Sequence, residues 1–170
     1  MPRRTRGAVD SGDRYHRDEG VIRMSSSTFQ ELSLEECTDL LRARTVGRIA
    51  VLSEGAPLIF PVNYRLVETS APTWLAVRTR EGNVIDRASS TVAFEIDDVD
   101  DQHHEGWSVL VRGTLHHVDP DAADFRARFD PEPWIADERD AWLVIAPFSI
   151  TGRRIVAPGR VWEFDPRAYL

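Results

Sequence analysis

Lysine is absent from this chain, and all 21 basic side chains are arginine. That pattern reads as a coding bias rather than a functional requirement. Cysteine occurs once, at Cys37, which excludes an internal disulfide framework and any cysteine-rich zinc site. No apolar run approaches the length needed to span a bilayer, and the arginine-rich start is not followed by an apolar core. A membrane span and secretion are therefore not expected, and a cytoplasmic location is. Net positive charge is missing too: the formal charge is −7, which argues against general nucleic-acid binding, because neutralising phosphates requires a net basic face. A local basic pocket stays open. No internal repeat is visible. What is present is 170 residues, 42% of them hydrophobic, enough for one compact domain with a real core.

The organisation follows from shifts in texture. Residues 1–27 are rich in arginine and acid, poor in apolar residues, and end in Ser25-Ser26-Ser27. Such a segment cannot bury enough surface to offset its ordering entropy, and reads as a disordered tail ahead of a single domain over 28–170. Ser33 and Glu36 have the spacing of a capping box, and Leu34, Cys37, Leu40 and Leu41 form one helical stripe that should end near Arg44. Cys37 on that stripe reads as a buried, inert thiol.

Residues 48–53 and 57–67, joined by Glu54-Gly55, then read as a hairpin. Pro61 has no amide to donate, so its neighbourhood should be an edge, a bulge or an opening in the sheet. Strand patterns follow at 74–77, 91–97, 106–118, 141–148, 152–156 and 161–164. A short helix is expected after Asp119, with Pro120 at its first position and Phe125 and Phe129 on one face. Six to seven antiparallel strands with sparse short helices give a mainly β protein, a small closed barrel.

One stretch carries chemistry. Trp74-Leu-Ala-Val supplies a buried strand, and Arg78, Thr79 and Arg80 arrive where the chain leaves the sheet. Gly82 and Asn83 then stand ready to free or cap a short helix over the following residues. Guanidinium groups, a hydroxyl and unpaired helix amides converging on one spot would suit a dianion. The alternative is an ordinary strand-to-helix turn with solvated arginines.

Taken in order, the first helix, Val46-Gly-Arg-Ile-Ala50, Pro61-Val-Asn63, Arg78-Thr79, Val92-Ala-Phe-Glu95 and Gly106-Trp-Ser-Val-Leu-Val-Arg-Gly113 resemble the pyridoxamine 5′-phosphate oxidase-like, flavin-binding split-barrel family. The likeness is to its small oxidase-related branch with nitroimidazole-reductase-like members, and it covers roughly residues 31–156. The resemblance implies a homodimer of split β-barrels with FMN at the subunit interface, acting as an oxidoreductase on a small molecule. It places the phosphate at Arg78, Thr79 and Arg80 with the Gly82–Asn83 turn, and the ring against Pro61, Val62, Asn63 and Tyr64. Trp107 and Ser108 would contribute from a neighbouring strand, and Arg153 or Arg154 would approach the cofactor or substrate. Two departures stand out: relatives often have a lysine where this chain has Val84, and a basic residue where it has Glu81. Some members bind a deazaflavin or heme instead, and a binding or sequestering protein without turnover, or a module with an empty pocket, are the other function classes.

Other candidates carry less. Tyr64 is the one side chain to test as an acid or base, although a packed tyrosine with a satisfied hydroxyl is the commoner case. Ser108 lacks a nucleophile-elbow context. Adjacent His116 and His117 on a strand point to opposite faces and cannot chelate together, and the acidic run near His103 and His104 reads as a solvated loop. Trp74, Trp134, Trp142 and Trp162 read as core or interface anchors.

Overall fold

A computed structural model describes residues 28–68, 73–88, 91–119, 121–134 and 139–156. The element order is β1 (Thr28–Leu32), α1 (Leu34–Ala43), β2 (Val46–Ser53), β3 (Ala56–Val67), β4 (Trp74–Thr79), β5 (Thr91–Asp100), β6 (Glu105–His117), α2 (Ala123–Arg128) and β7 (Ala141–Val156). The sheet runs β1-β7-β4-β3-β2-β5-β6, every pairing is antiparallel, and a further β6–β7 pairing closes the ring. Six strands thus form the barrel, and β1 extends it along the far half of β7. The split lies at β3. Its residues Ala56–Asn63 pair with β2, but β4 joins only from Tyr64 onward, so Pro61 sits where the other edge is open, one of the sites proline tolerates.

Local chemistry explains the ends. The capping box forms in full: the Glu36 amide donates to Ser33 Oγ at 3.2 Å and the Ser33 amide donates to Glu36 Oε2 at 2.7 Å. Those Ser33 contacts hold the Glu36 carboxyl below its usual range against the opposing effect of burial, with Arg154 adding to them. Ser33→Ala is expected to cost about 1 kcal/mol in urea unfolding. Glu54 and Gly55 both have positive φ, 51° and 81°, as a two-residue hairpin turn between right-twisted strands requires.

Cys37, Leu40 and Leu41 face the barrel from α1 and are buried, with burial raising the Cys37 thiol. A Cβ on Gly152 would come within 2.6 Å of Cys37 Sγ, so glycine there lets α1 close the barrel end. Phe94, Ile49, Val109, Leu143 and Ile145 fill the interior. A smaller cluster, Val67, Ala76 and Val144, lies on the outside under Phe125 and Phe129, whose rings meet at 5.1 Å as their spacing requires. Among the described residues no helix is long and apolar enough to cross a membrane.

Four expectations change. Residues 81–87 form turns and no helix, because Gly82 is left-handed at φ 71° and the Asn83 side chain caps a single helical turn that goes no further. α2 begins at Ala123, after Asp119 Oδ1 has accepted the Asp121 amide and held the chain in a turn. The two strands read over 141–156 are one, since a bulge between Arg112 and Gly113 on β6 carries the partner through Pro147. β1 was not expected at all: its pattern is short, and Phe29 is exposed. The tail over 1–27 and the strand at 161–164 lie outside the described residues.

Candidate functional site

β4 is covered on both faces, with Leu75, Ala76 and Val77 buried, so it is a rigid rail that ends at Arg78, Thr79 and Arg80. Thr79 is the buried polar residue of the core among the described residues, 2% exposed, and its hydroxyl accepts from Asn83 Nδ2. Beyond it a cavity of about 190 Å³ is lined by Thr79, Arg80, Asn83 and Arg139. Arg139 Nε is buried there without a hydrogen-bond partner. Three donor-bearing side chains around one buried hydroxyl, without a carboxylate in the lining, make a place suited to an anion.

Arg78 is arranged differently from the expectation of a free phosphate ligand. Its Nε donates to the Arg139 carbonyl at 3.0 Å, Nη1 donates to both Asp130 oxygens at 3.1 and 3.2 Å, and the guanidinium lies over the Trp142 ring at 4.8 Å. It therefore braces the segment before β7 against the cavity wall. The turn amides are also committed: Gly82 donates to Asp86 at 2.7 Å, Asp86 to Asn83 Oδ1 at 2.9 Å, and Asn83 to the Arg80 carbonyl at 3.3 Å. With no helix at this turn, side chains replace the expected fan of helix amides.

Next along the sheet stand Pro61, Val62, Asn63 and Tyr64. Pro61 is exposed and Val62 buried. Asn63 lies one position beyond the β3–β4 pairing, its Oδ1 accepting the Trp134 amide at 3.1 Å while its Nδ2 is buried and unpartnered. Tyr64 turns inward. Its hydroxyl donates to the Leu41 carbonyl at 2.7 Å, its ring meets Phe94 edge-on at 4.8 Å, and burial drives its pKa well above the usual phenol value. The side chain is packing and not an acid or base; only its backbone borders the open edge.

Trp107, Ser108 and Arg153 belong to another region. Trp107 is buried under the Arg44 guanidinium at 5.3 Å, whereas Ser108 faces outward opposite Arg153. Ser108, Arg153, Phe29, Leu110 and Thr151 help to line an outer cavity of about 500 Å³. Round the ring through β3, β2 and β5, four strand steps separate this region from β4, about 19 Å at the usual strand spacing. Through β7 the steps are fewer, but Arg78 pairs with Trp142 and Ser108 with Arg153, about 35 Å farther along that strand. The β4-exit cavity and the outer cavity share no lining residue.

Asp130 and Arg139 are site residues that the sequence reading did not single out. Their signal is positional: Ala141 pairs with Thr79, so the residues just before it reach the β4 exit. A single sequence does not give that register.

The comparisons with known proteins match the fold. The family model described as pyridoxamine 5′-phosphate oxidase matches residues 33–154. The chain belongs to the pyridoxamine 5′-phosphate oxidase family. An uncharacterized protein of Mycobacterium tuberculosis is 33% identical over 141 residues, 76% of this chain and 88% of that protein. A solved FAD-binding protein from Mycobacterium smegmatis is 33% identical, with a TM-score of 0.55 over 75% of this chain and 98% of the other. An FAD-binding protein from Mesorhizobium loti is 25% identical, with a TM-score of 0.60 over 76% and 98%.

Within this oxidase-family chain the two departures now have surroundings. Val84 packs against the core, so an apolar residue suits its position, and Glu81 is exposed beside Gly82. Of the histidines, His103 Nδ1 lies 2.7 Å from Asp100 and His116 stacks on Trp74 at 6.4 Å. No group of three metal-ligating side chains occurs among the described residues.

Proposed function

We propose that this chain binds a flavin nucleotide, FMN or its dinucleotide FAD, and works as a flavin-dependent oxidoreductase on an unidentified small molecule in the cytoplasm. The observation that carries the reading is a buried donor without a hydrogen-bond partner on a residue lining the β4-exit cavity, Arg139 Nε, with a second such donor, Asn63 Nδ2, one position beyond the β3–β4 pairing. A buried donor without a partner costs about 1 to 3 kcal/mol, and a phosphate and a ring carbonyl are the kinds of acceptor that would relieve them. Thr79, Arg80, Asn83 and Arg139 would hold the phosphate, with Gly82 shaping the turn and Arg78 fixing the wall. Pro61, Val62, Asn63 and the Tyr64 backbone would border the ring. A bound flavin supplies the hydride and electron transfer. The names of the two solved relatives favour a flavin over a deazaflavin or heme.

The active unit is proposed to be a homodimer. The open β3 edge carries exposed Leu58 and Ile59, and a second copy covering it would remove an unpaired apolar strand. It would also offer its own Trp107, Ser108 and Arg153 to the first copy's flavin. A second reading, a flavin-binding protein without turnover, is favoured by the burial of Tyr64, which removes the one acid or base the sequence suggested.

Titration with FMN, FAD and riboflavin, followed by flavin fluorescence, tests binding. FMN or FAD should bind and riboflavin much more weakly; equal affinity for all three would overturn the phosphate assignment, and a colourless preparation that takes up none would overturn the flavin. Oxidation of reduced nicotinamide or reduced deazaflavin by the loaded protein then separates enzyme from binder.

A further inference from the structure

We propose that His117 and Asp86 form a proton-responsive positioning pair for the anion cavity at the β4 exit, so that protonation of His117 tightens anion binding. The inference rests on reading that cavity as the flavin's phosphate site. Its geometry is a relay across two strands. His117, near the end of β6, sets Nε2 2.9 Å from Asp86 Oδ1. The other Asp86 oxygen accepts the Gly82 amide at 2.7 Å, the Asp86 amide donates to Asn83 Oδ1 at 2.9 Å, and Asn83 Nδ2 donates to Thr79 Oγ1. The Asp86 carboxylate therefore fixes the left-handed glycine, while its backbone amide holds the asparagine that borders the cavity.

The charges give the sign. The Asp86 side chain is 13% exposed while the His117 ring is 66% exposed, so the carboxylate is held among protein atoms and the imidazole reaches solvent. Burial works to raise the Asp86 pKa, yet the Gly82 amide and the His117 ring hold it below the usual carboxylate range, so Asp86 stays ionised at neutral pH. With His117 neutral, that negative charge opposes an anion bound at Asn83. A protonated His117 cancels it and grips the turn harder.

The other groups around the pair do not copy this response. Arg87, which also acts on Asp86 and reaches the Asn83 carbonyl at 3.5 Å, remains a cation throughout. β7 presents apolar Leu143 opposite His117, and Glu81 is exposed on the far side of Gly82. Arg80 and Arg139 keep their charge in the cavity lining. His116 is the neighbouring titratable ring, but it stacks on Trp74.

The test compares FMN affinity of the wild type, His117→Gln and a His116→Gln control between about pH 8.5 and pH 5.5, the range in which imidazoles exchange protons. Because the phosphate's own titration is common to all three, it cancels in the ratio of affinities. Wild type and His117→Gln should agree at the alkaline end, with wild type tighter by about fivefold at the acid end; His116→Gln should follow wild type. Proton NMR of His117 with and without inorganic phosphate gives the reciprocal reading, a midpoint raised by the logarithm of the same factor. A flat wild-type to His117→Gln ratio with FMN bound overturns the pair and leaves the flavin assignment standing. A His117 shift with inorganic phosphate, in a protein that takes no FMN, keeps the pair and removes the flavin. Absence of both effects overturns the pair.

Discussion

Phe94→Ala is expected to lower the unfolding free energy by about 4 kcal/mol, the middle of the range for deleting a buried aromatic ring. Phe94 is fully buried, meets Tyr64 edge-on and occupies the space that Gly47 leaves open. An added Cβ on Gly47 would stand 2.2 Å from the Phe94 ring and 2.9 Å from the Glu95 carbonyl. Three strands are thus fitted to one ring: β5 carries it, β2 makes room for it, and β3 places Tyr64 on it. Urea unfolding with an unchanged slope measures the loss, and a value under about 2 kcal/mol would mean that the barrel collapses around the gap. Gly47→Ala should be severe in wild type and less so with Phe94→Ala already present, the remaining cost coming from the Glu95 carbonyl, a coupling that independent sites do not show.

Arg139→Ala should weaken FMN binding by about 2 kcal/mol, roughly thirtyfold, and leave riboflavin affinity alone. Its Nε is a buried donor with no partner, so the substitution removes charge-assisted bonding to a phosphate without stranding a carboxylate. The main-chain carbonyl that receives Arg78 Nε survives the change, which keeps the wall of the cavity in place. Arg78→Ala is a poorer probe, because it abandons Asp130 and uncovers Trp142, mixing stability with binding. If Arg139→Ala weakens FMN and riboflavin equally, the side chain contacts the ring region and the phosphate lies elsewhere.

Much of the fold was written in periodicity and punctuation. The capping box at Ser33 and Glu36, the Glu54-Gly55 turn and the opening at Pro61 are local signals, and each is decided within a few residues of itself. The sequence of β7 reads as two strands for the same reason: Pro147 is a local stop sign, and only the bulge on a strand thirty-odd residues earlier overrules it. At the candidate site the residue types at 78–83 were legible, but their partners were not. Asp130 reaches Arg78, and His117 reaches Asp86, through tertiary pairing that no spacing encodes. The expected helix after Thr79 failed because Gly82 and Asn83 support one helical turn as readily as the start of a longer element, and sequence does not tell the two apart.

β7 touches more of the molecule than any other strand, bonding to β6 along most of its length, to β4 at its beginning and to β1 at its end. It is also the last described strand to leave the ribosome. Until residues 141–156 emerge, β1, β4 and β6 each wait with a bare hydrogen-bonding edge, so the nascent chain passes through a stage with three sticky margins and no means of sealing them. Synthesis order therefore makes the finishing strand of this barrel its safeguard against aggregation.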